Sequence, residues 1–480
     1  MMKRIKFLSV LYFLVAFSSC KKLVEIPETD LLAGDLALSN VTFVEQAMLS
    51  AYTPLSPDMA ILLNATFADE VAKADFYNAN STHEWQYGPA DVGLRDNFTA
   101  IGPMYTAVNR ANVALGALEK LSTPLPADEA KKVRLRGEGL FIRAYAHFEL
   151  FRYYSGNYDP AGLAMPYMET SRLAPTPRIT MKPYFDKIMA DLSAAKELVP
   201  QTLTDLNRAN RLAVAGLQAR VALYMRDWAQ AEQYATEFIT AVPLANIATF
   251  PGIWTDANTA EQAFRYVKTN TLSRLGSLFR GTSTAPTGAQ IGIITWKPSE
   301  KLWSSYDKVN DVRFNSYFKD EPLLTGTGRT STRLIAKYAG SGYATPNENV
   351  NNGKLLRTAE MYLIRAEARA ELGRFSGTNS SESDLNTLRA NRIVGYAPIV
   401  YINKQQAIDD ILLERFKELA YEGHRFFDLK RKNLPVTRLA VDAPSPASTT
   451  LPANDFRFLL PIPLPEVTAN PTLQQNPGYF

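Results

Sequence analysis

Cys20 is the only cysteine in the chain. No internal disulfide can therefore staple the fold, and no multi-thiolate metal site can nucleate it. Whatever structure forms has to be held by buried apolar surface and by paired polar groups. The composition permits this: 46% of the 480 residues are hydrophobic and 21% are charged, the balance of a folded globular chain rather than a disordered one.

The same cysteine closes what reads as an export signal. Lys3, Arg4 and Lys6 make a basic start, Phe7 to Phe17 is an apolar run of eleven residues, and Ser18-Ser19 are small residues before Cys20. A bilayer takes about 20 apolar residues to cross, so the run fits a cleavable signal and not an anchor helix. A cysteine directly after such a site resembles a bacterial lipoprotein box, although Phe17 stands where Leu is usual. The thiol would take a diacylglycerol. Two or more acyl chains, at about 0.8 kcal/mol per buried methylene, give stable anchoring. The expected organisation is a signal peptide over 1–19, a lipidated tether over 20–38 and one folded domain over 39–480.

Without the signal's three basic residues, the mature chain holds 49 Lys and Arg against 48 Asp and Glu. That near-neutral balance carries no nucleic-acid footprint. The three histidines, His83, His147 and His424, are far apart, and HExxH, a phosphate-binding glycine loop and a GxSxG elbow are all missing from the sequence. No cofactor and no catalytic metal is implied. Scattered Asp and Asn residues leave room for a structural calcium ion.

Helical periodicity dominates the rest. Asn40 can cap a helix to about Tyr52, and further helices are expected over about 99–121, 129–154 and 183–199. Ala219, Ala222, Trp228, Ala231, Ala235 and Pro243 fall at the spacings of a tetratricopeptide repeat, in which small residues let two helices approach closely and an aromatic plugs the turn. Similar pairs follow from Leu355 and from Gln405. Four helical pairs are expected, at about 129–200, 208–243, 354–393 and 404–432. Residues 54–98 and 244–350 read as loop-rich, with a few short strands.

Four stretches, taken in order, resemble the SusD/RagB family of Bacteroidetes outer-membrane lipoproteins. They are the box ending in Cys20, RGEGLFIRAYAHFELFRYY (136–154), AEMYLIRAEARAELG (359–373) followed by LLERFKELAYEGHRFFDLKR (412–431), and FLLPIPLPEVTANPTLQQNPGY (458–479). The resemblance implies a mainly α fold, a tetratricopeptide-like superhelix of four helical pairs with a loop-rich, few-stranded ligand region. It also implies a non-enzymatic role: a surface lipoprotein that captures oligosaccharide or polysaccharide and delivers it to a partner TonB-dependent transporter. A peptide ligand in the same uptake system, or a protein-binding scaffold, are the alternatives.

Sugars present C–H faces to aromatic rings and hydroxyls to polar groups, so a ring beside Asp, Asn, Arg or Gln is the expected site. Two clusters fit. One contains Asp75, Tyr77, Asn78, His83, Trp85, Gln86 and Tyr87; the other contains Trp296, Lys297, Trp303, Tyr306 and Asp307. Asp75, Tyr77, Trp85, Tyr87, Trp296 and Trp303 are the candidate ligand contacts. Trp228 is assigned to the repeat turn. Glu414, Glu418 and Glu422 recur every four residues beside Arg415, His424, Arg425 and Asp428. A glycosidase needs carboxylates on opposite sides of a bond, whereas this spacing puts all three on one helical stripe, so a charge-pair network is expected. His147, among Phe and Leu, is expected to be a satisfied core histidine.

Overall fold

The structure, a computed structural model, describes residues 38–74, 82–123, 125–172, 174–203, 205–324, 329 and 331–479. Cys20 and the tether up to residue 37 lie outside the described residues, as do Asp75, Tyr77 and Asn78.

Helix α1 (Val41–Tyr52) is capped by Asn40, whose side chain accepts the Phe43 N–H. Helix α2 (Asp58–Phe67) lies where the sequence reads as loop. Its run from Ile61 to Phe67 is buried on nearly every side, so it has no polar face and no helical period to display. Helix α3 (Ile101–Lys120) packs on α1 and on α4 (Pro126–Tyr154). Helix α4 is 29 residues long and starts at Pro126, three residues before the expected point. Two glycines let it sit centrally. A Cβ on Gly139 would come within 2.8–2.9 Å of Met48 and Leu115, and one on Gly137 within 2.8 Å of Val199. That is the physical content of the Arg-Gly-Glu-Gly start of the motif.

Helix α5 (Met181–Leu198) packs on α4, with Pro183 inside its first turn rather than at its start. Helix α6 (Arg211–Met225) begins on Asn210, which accepts the Leu212 and Ala213 N–H groups. It ends at Arg226, in the left-handed region at φ 60°, and Asp227 then caps α7 (Trp228–Ala241) by accepting the Gln230 N–H. The Arg-Asp-Trp break is thus a C-cap followed at once by an N-cap. Helices α8 (Thr358–Glu371), α9 (Ser381–Ala390), α10 (Lys404–Glu418) and α11 (Arg425–Arg431) continue the array. The stacking runs α5 on α6, α7 on α8 and α8 on α10. Among the described residues no helix is long and apolar enough to cross a membrane.

The strands are short: β1 (Val71–Lys73), β2 (Gln262–Tyr266), β3 (Trp296–Pro298), β4 (Phe318–Asp320), β5 (Arg333–Ile335), β6 (Gly353–Arg357), β7 (Val436–Thr437) and β8 (Thr450–Leu451). They form four separate antiparallel pairs, β1–β3, β2–β6, β4–β5 and β7–β8. The main core lies among the first helices and the C-terminal segment. A second core, containing Trp254, Trp296, Trp303 and Tyr317, lies under the loop-rich block.

The terminal motif is a clamp. Asn476 donates to the Tyr154 and Leu460 carbonyls, Gln475 brackets Ile462, and the Tyr479 hydroxyl donates to Leu459. Gly478, at φ 87°, lets the chain pass Phe456 where a Cβ would meet the ring at 2.4 Å. Only glycine fits such a position without strain.

Candidate functional site

Strand β1 pairs with β3 so that Lys73 faces Trp296 across the ladder. This one pairing joins the two aromatic clusters that the sequence places far apart, and β5 packs beside β3. The candidate rings, however, are interior. Trp85, Trp296 and Trp303 are 3%, 4% and 5% exposed. The Trp85 indole N–H donates to the Phe67 carbonyl at 2.9 Å, and the Arg438 guanidinium lies 4.1 Å from its ring. Trp296 meets the edge of His83 at 4.8 Å. Trp303 packs against Phe314 at 4.8 Å, with Arg333 at 4.5 Å from its ring. Tyr87 is half-buried, lies between Phe67 and Tyr479, and donates its hydroxyl to the Arg457 carbonyl. A ring that stacks on a sugar has to keep one face open. These four are corrected accordingly: in this structure they are packing groups, not open platforms.

Another aromatic beside β1 is Tyr343, which carries no distinguishing spacing in the sequence. It is half-buried and packs with Ala74, the residue leading into 75–81, on a small cluster of Ile291, Ile294, Leu324 and Leu334. Its hydroxyl donates to Glu321, and Lys319 and Arg280 each lie 5.1 Å from its ring centre. Burial and the Glu321 carboxylate keep the phenol protonated far above its ordinary range. Arg280 pairs with Glu348, which also accepts from the Ser283 hydroxyl at 2.7 Å. Ile293, 48% exposed, adjoins Gly281 through a 2.8 Å backbone bond. Arg280, Glu321, Glu348 and Ser283 are buried and paired around the half-buried Tyr343 ring, and Lys319 and Ile293 are the exposed groups beside it. An exposed cation and an apolar side chain next to a ring offer a surface to a molecule with both C–H faces and hydroxyls.

The glutamate stripe has another purpose. Glu418, fully buried, accepts from Arg313 at 3.0 Å, Arg357 at 2.7 Å and Arg392 at 3.1 Å. Glu414 joins Arg313 to Arg389, and Glu422 joins Arg357 to Lys337. Burial pushes Glu414 up, but Arg313 and Arg389 overcome it and hold it at about 2. Carboxylates enclosed by guanidinium groups have no path to a substrate. His147 is likewise satisfied: Nδ1–H donates to the Arg143 carbonyl, Nε2 accepts the Met168 N–H, and burial lowers its pKa to about 3. Among the described residues no three His, Cys, Asp or Glu side chains gather as metal ligands.

One buried carboxyl lies under this region. Glu70 accepts the Tyr421 N–H at 3.1 Å with one oxygen, and the other has no partner. Burial, with Asp69 beside it, pushes its pKa up to about 8. An unfolded Glu releases its proton near pH ~4.3. Between those values the folded chain holds the extra proton, so stability falls as pH rises. Glu70→Gln is expected to stabilise the protein, with a gain over the parent that grows from about pH 5 to about pH 7 and reaches on the order of 1–3 kcal/mol. Thermal melts across that range check it. A constant difference would show that Glu70 does not carry the shift.

Comparison with known proteins matches both ends of the chain. A model described as "SusD family" matches residues 295–479, and one described as "Starch-binding associating with outer membrane" matches residues 33–223. SusD-like protein P2 of Formosa agariphila is 22% identical, with the alignment covering 100% of both chains. A solved SusD superfamily protein from Bacteroides thetaiotaomicron superposes with a TM-score of 0.79 at 22% identity, covering 91% of this chain and 100% of the other. Surface glycan-binding protein A from Bacteroides fluxus superposes with a TM-score of 0.72 at 22% identity, covering 91% of this chain and 99% of that one.

Proposed function

The chain belongs to the SusD family, and from that premise we propose that it is the glycan-capturing lipoprotein of an outer-membrane uptake pair. As a member of that family it is a binding protein and not an enzyme. The observation that carries the reading is the family match at both ends of the chain, joined to a loop-rich face where Tyr343 gathers Arg280, Lys319 and Glu321. In this reading an oligosaccharide or a polysaccharide segment lies against Tyr343, and Asp75 and Tyr77 remain candidate ligand contacts. Trp85, Tyr87, Trp296 and Trp303 form the rigid floor beneath. The bound glycan passes to a TonB-dependent transporter, and acyl chains on Cys20 hold the protein at the outer membrane.

Purification of the tagged full-length protein from detergent-solubilised outer membranes tests the pairing. The reading expects a TonB-dependent transporter to co-elute in near-equal amount, and its absence would overturn the delivery step. The anchor has its own check. Cys20→Ser is expected to abolish incorporation of labelled fatty acid and to move the protein out of the membrane fraction. Undiminished labelling would remove Cys20 from the account.

A further inference from the structure

An enclosed cavity of about 30 Å³ lies where the helix array meets the loop-rich block. Its wall is built by α2, α4, α6, the start of β6 and the turn that carries Glu422 and His424 ahead of α11. Neither the family match nor the Tyr343 patch accounts for it.

The charged groups of the wall are Glu149, Arg152, Arg220, Lys354 and Glu422. Both acids are committed to cations. Glu149 accepts from Arg152 with its two oxygens, at 2.7 and 2.5 Å, and Glu422 accepts from Arg357 and Lys337 at 2.7 Å each. Behind the wall, Glu360 takes two bonds from Arg220 at 2.7 Å, and Asp256 takes one from Lys354 at 2.7 Å. What is left over is donors. Arg152 Nε–H has no partner. Among the described residues, the Tyr145 hydroxyl and the His424 ring make no hydrogen bond, and Arg220 spends only Nε and one terminal nitrogen. Arg152, Tyr145 and His424 are 3%, 5% and 6% exposed, so bulk water does not serve them. The field has the same sense. Burial, and then the guanidinium groups of Arg220, Arg415, Arg152 and Arg357, hold the His424 ring neutral far below its ordinary range.

We propose that this cavity binds one small monovalent anion of halide size, chloride being the natural occupant. Buried donors without an acceptor are costly, and an ion that only accepts satisfies several at once. A water has two protons to place, and both carboxylates in the wall are already taken. The volume admits one or two water-sized groups, which rules out sulfate, phosphate and any sugar. The bound ion would draw Arg152 on α4, Arg220 on α6 and His424 ahead of α11 to one point. It would therefore act as a clamp between the central helices and the block that carries the Tyr343 patch. The proposal does not rest on the glycan reading.

Bromide replaces chloride and scatters anomalously, so diffraction from crystals of the chain beginning at Lys21, soaked in sodium bromide, locates the ion. A peak is expected in the cavity, within hydrogen-bonding reach of Tyr145 and Arg152. Thermal melts give the second readout. The midpoint is expected to be at least about 2 °C higher in sodium bromide than in sodium gluconate of equal ionic strength, with a rise that saturates. Tyr145→Phe removes a hydroxyl that bonds to nothing in the chain, so it is expected to melt like the parent in gluconate and to lose at least half of the bromide-dependent rise. Density in the cavity without an anomalous signal would mean water and overturn the proposal. A peak with equal melts in the two salts would mean an adventitious ion only, and a full rise in Tyr145→Phe would place the effect elsewhere; either also overturns it. Glycan titrations on the same chain are read separately and survive each of these outcomes.

Discussion

Glu418→Ala is expected to destabilise the protein by about 3–5 kcal/mol or more, the largest effect of any single side chain in the account. The carboxylate is the shared acceptor for Arg313, Arg357 and Arg392, all fully buried. Those arginines come from the loop-rich block, the start of α8 and the end of α9, so Glu418 on α10 ties the last repeats to the block that carries the site. Truncating it leaves three guanidinium groups short of an anion in a low-dielectric interior. A surface pair provides the contrast. Lys182 and Asp186 are 65% and 58% exposed, and Asp186→Ala is expected to change stability by no more than about 0.5 kcal/mol. Urea unfolding of the two variants checks the ranking, and a Glu418→Ala loss as small as that of Asp186→Ala would contradict it. Acid adds a second signature. Burial pushes Glu418 up, but Arg392, Arg357 and Arg313 overcome it and hold the group far below the usual carboxylate range. Its contribution is therefore intact above the unfolded value near ~4.3 and is lost as pH falls below it.

Trp296→Ala is expected to cost about 3–5 kcal/mol of stability, while Tyr343→Ala costs much less stability and weakens glycan binding about tenfold. The first ring fills the second core and braces the β1–β3 pairing; the second is half-buried with its hydroxyl on Glu321. Thermal melts and binding titrations on both variants separate the roles. If Trp296→Ala kept its stability and lost only binding, the ring would be a stacking surface after all, and the floor assignment would fall.

The repeats were legible because their requirement is local. Ala219, Ala222, Ala231 and Ala235 are small at fixed intervals, and the structure buries all four between helices. The glutamate stripe was legible for the same reason, as an i, i+4 spacing, but its partners were not. Arg313, Arg357 and Arg392 lie in three separate segments, and no spacing links them to Glu418. Helix α2 escaped because burial on all sides erases amphipathic period. The site was the least legible part. A tryptophan between polar residues looks the same in sequence whether its ring faces solvent or core, and β3 is only three residues long, too short for alternation to fix a face. Tyr343 sits in a Ser-Gly-Tyr-Ala loop, and only the fold brings Arg280, Lys319 and Glu321 to it.

The central claim is that this chain captures glycan on its loop-rich face. Calorimetric titration of the mature chain from Lys21 against a panel of polysaccharides, oligosaccharides and peptides tests it most directly, run beside Tyr343→Ala. The account predicts saturable binding to at least one glycan and about tenfold weaker binding by Tyr343→Ala. Silence toward every glycan, or uptake of a peptide in their place, would contradict it.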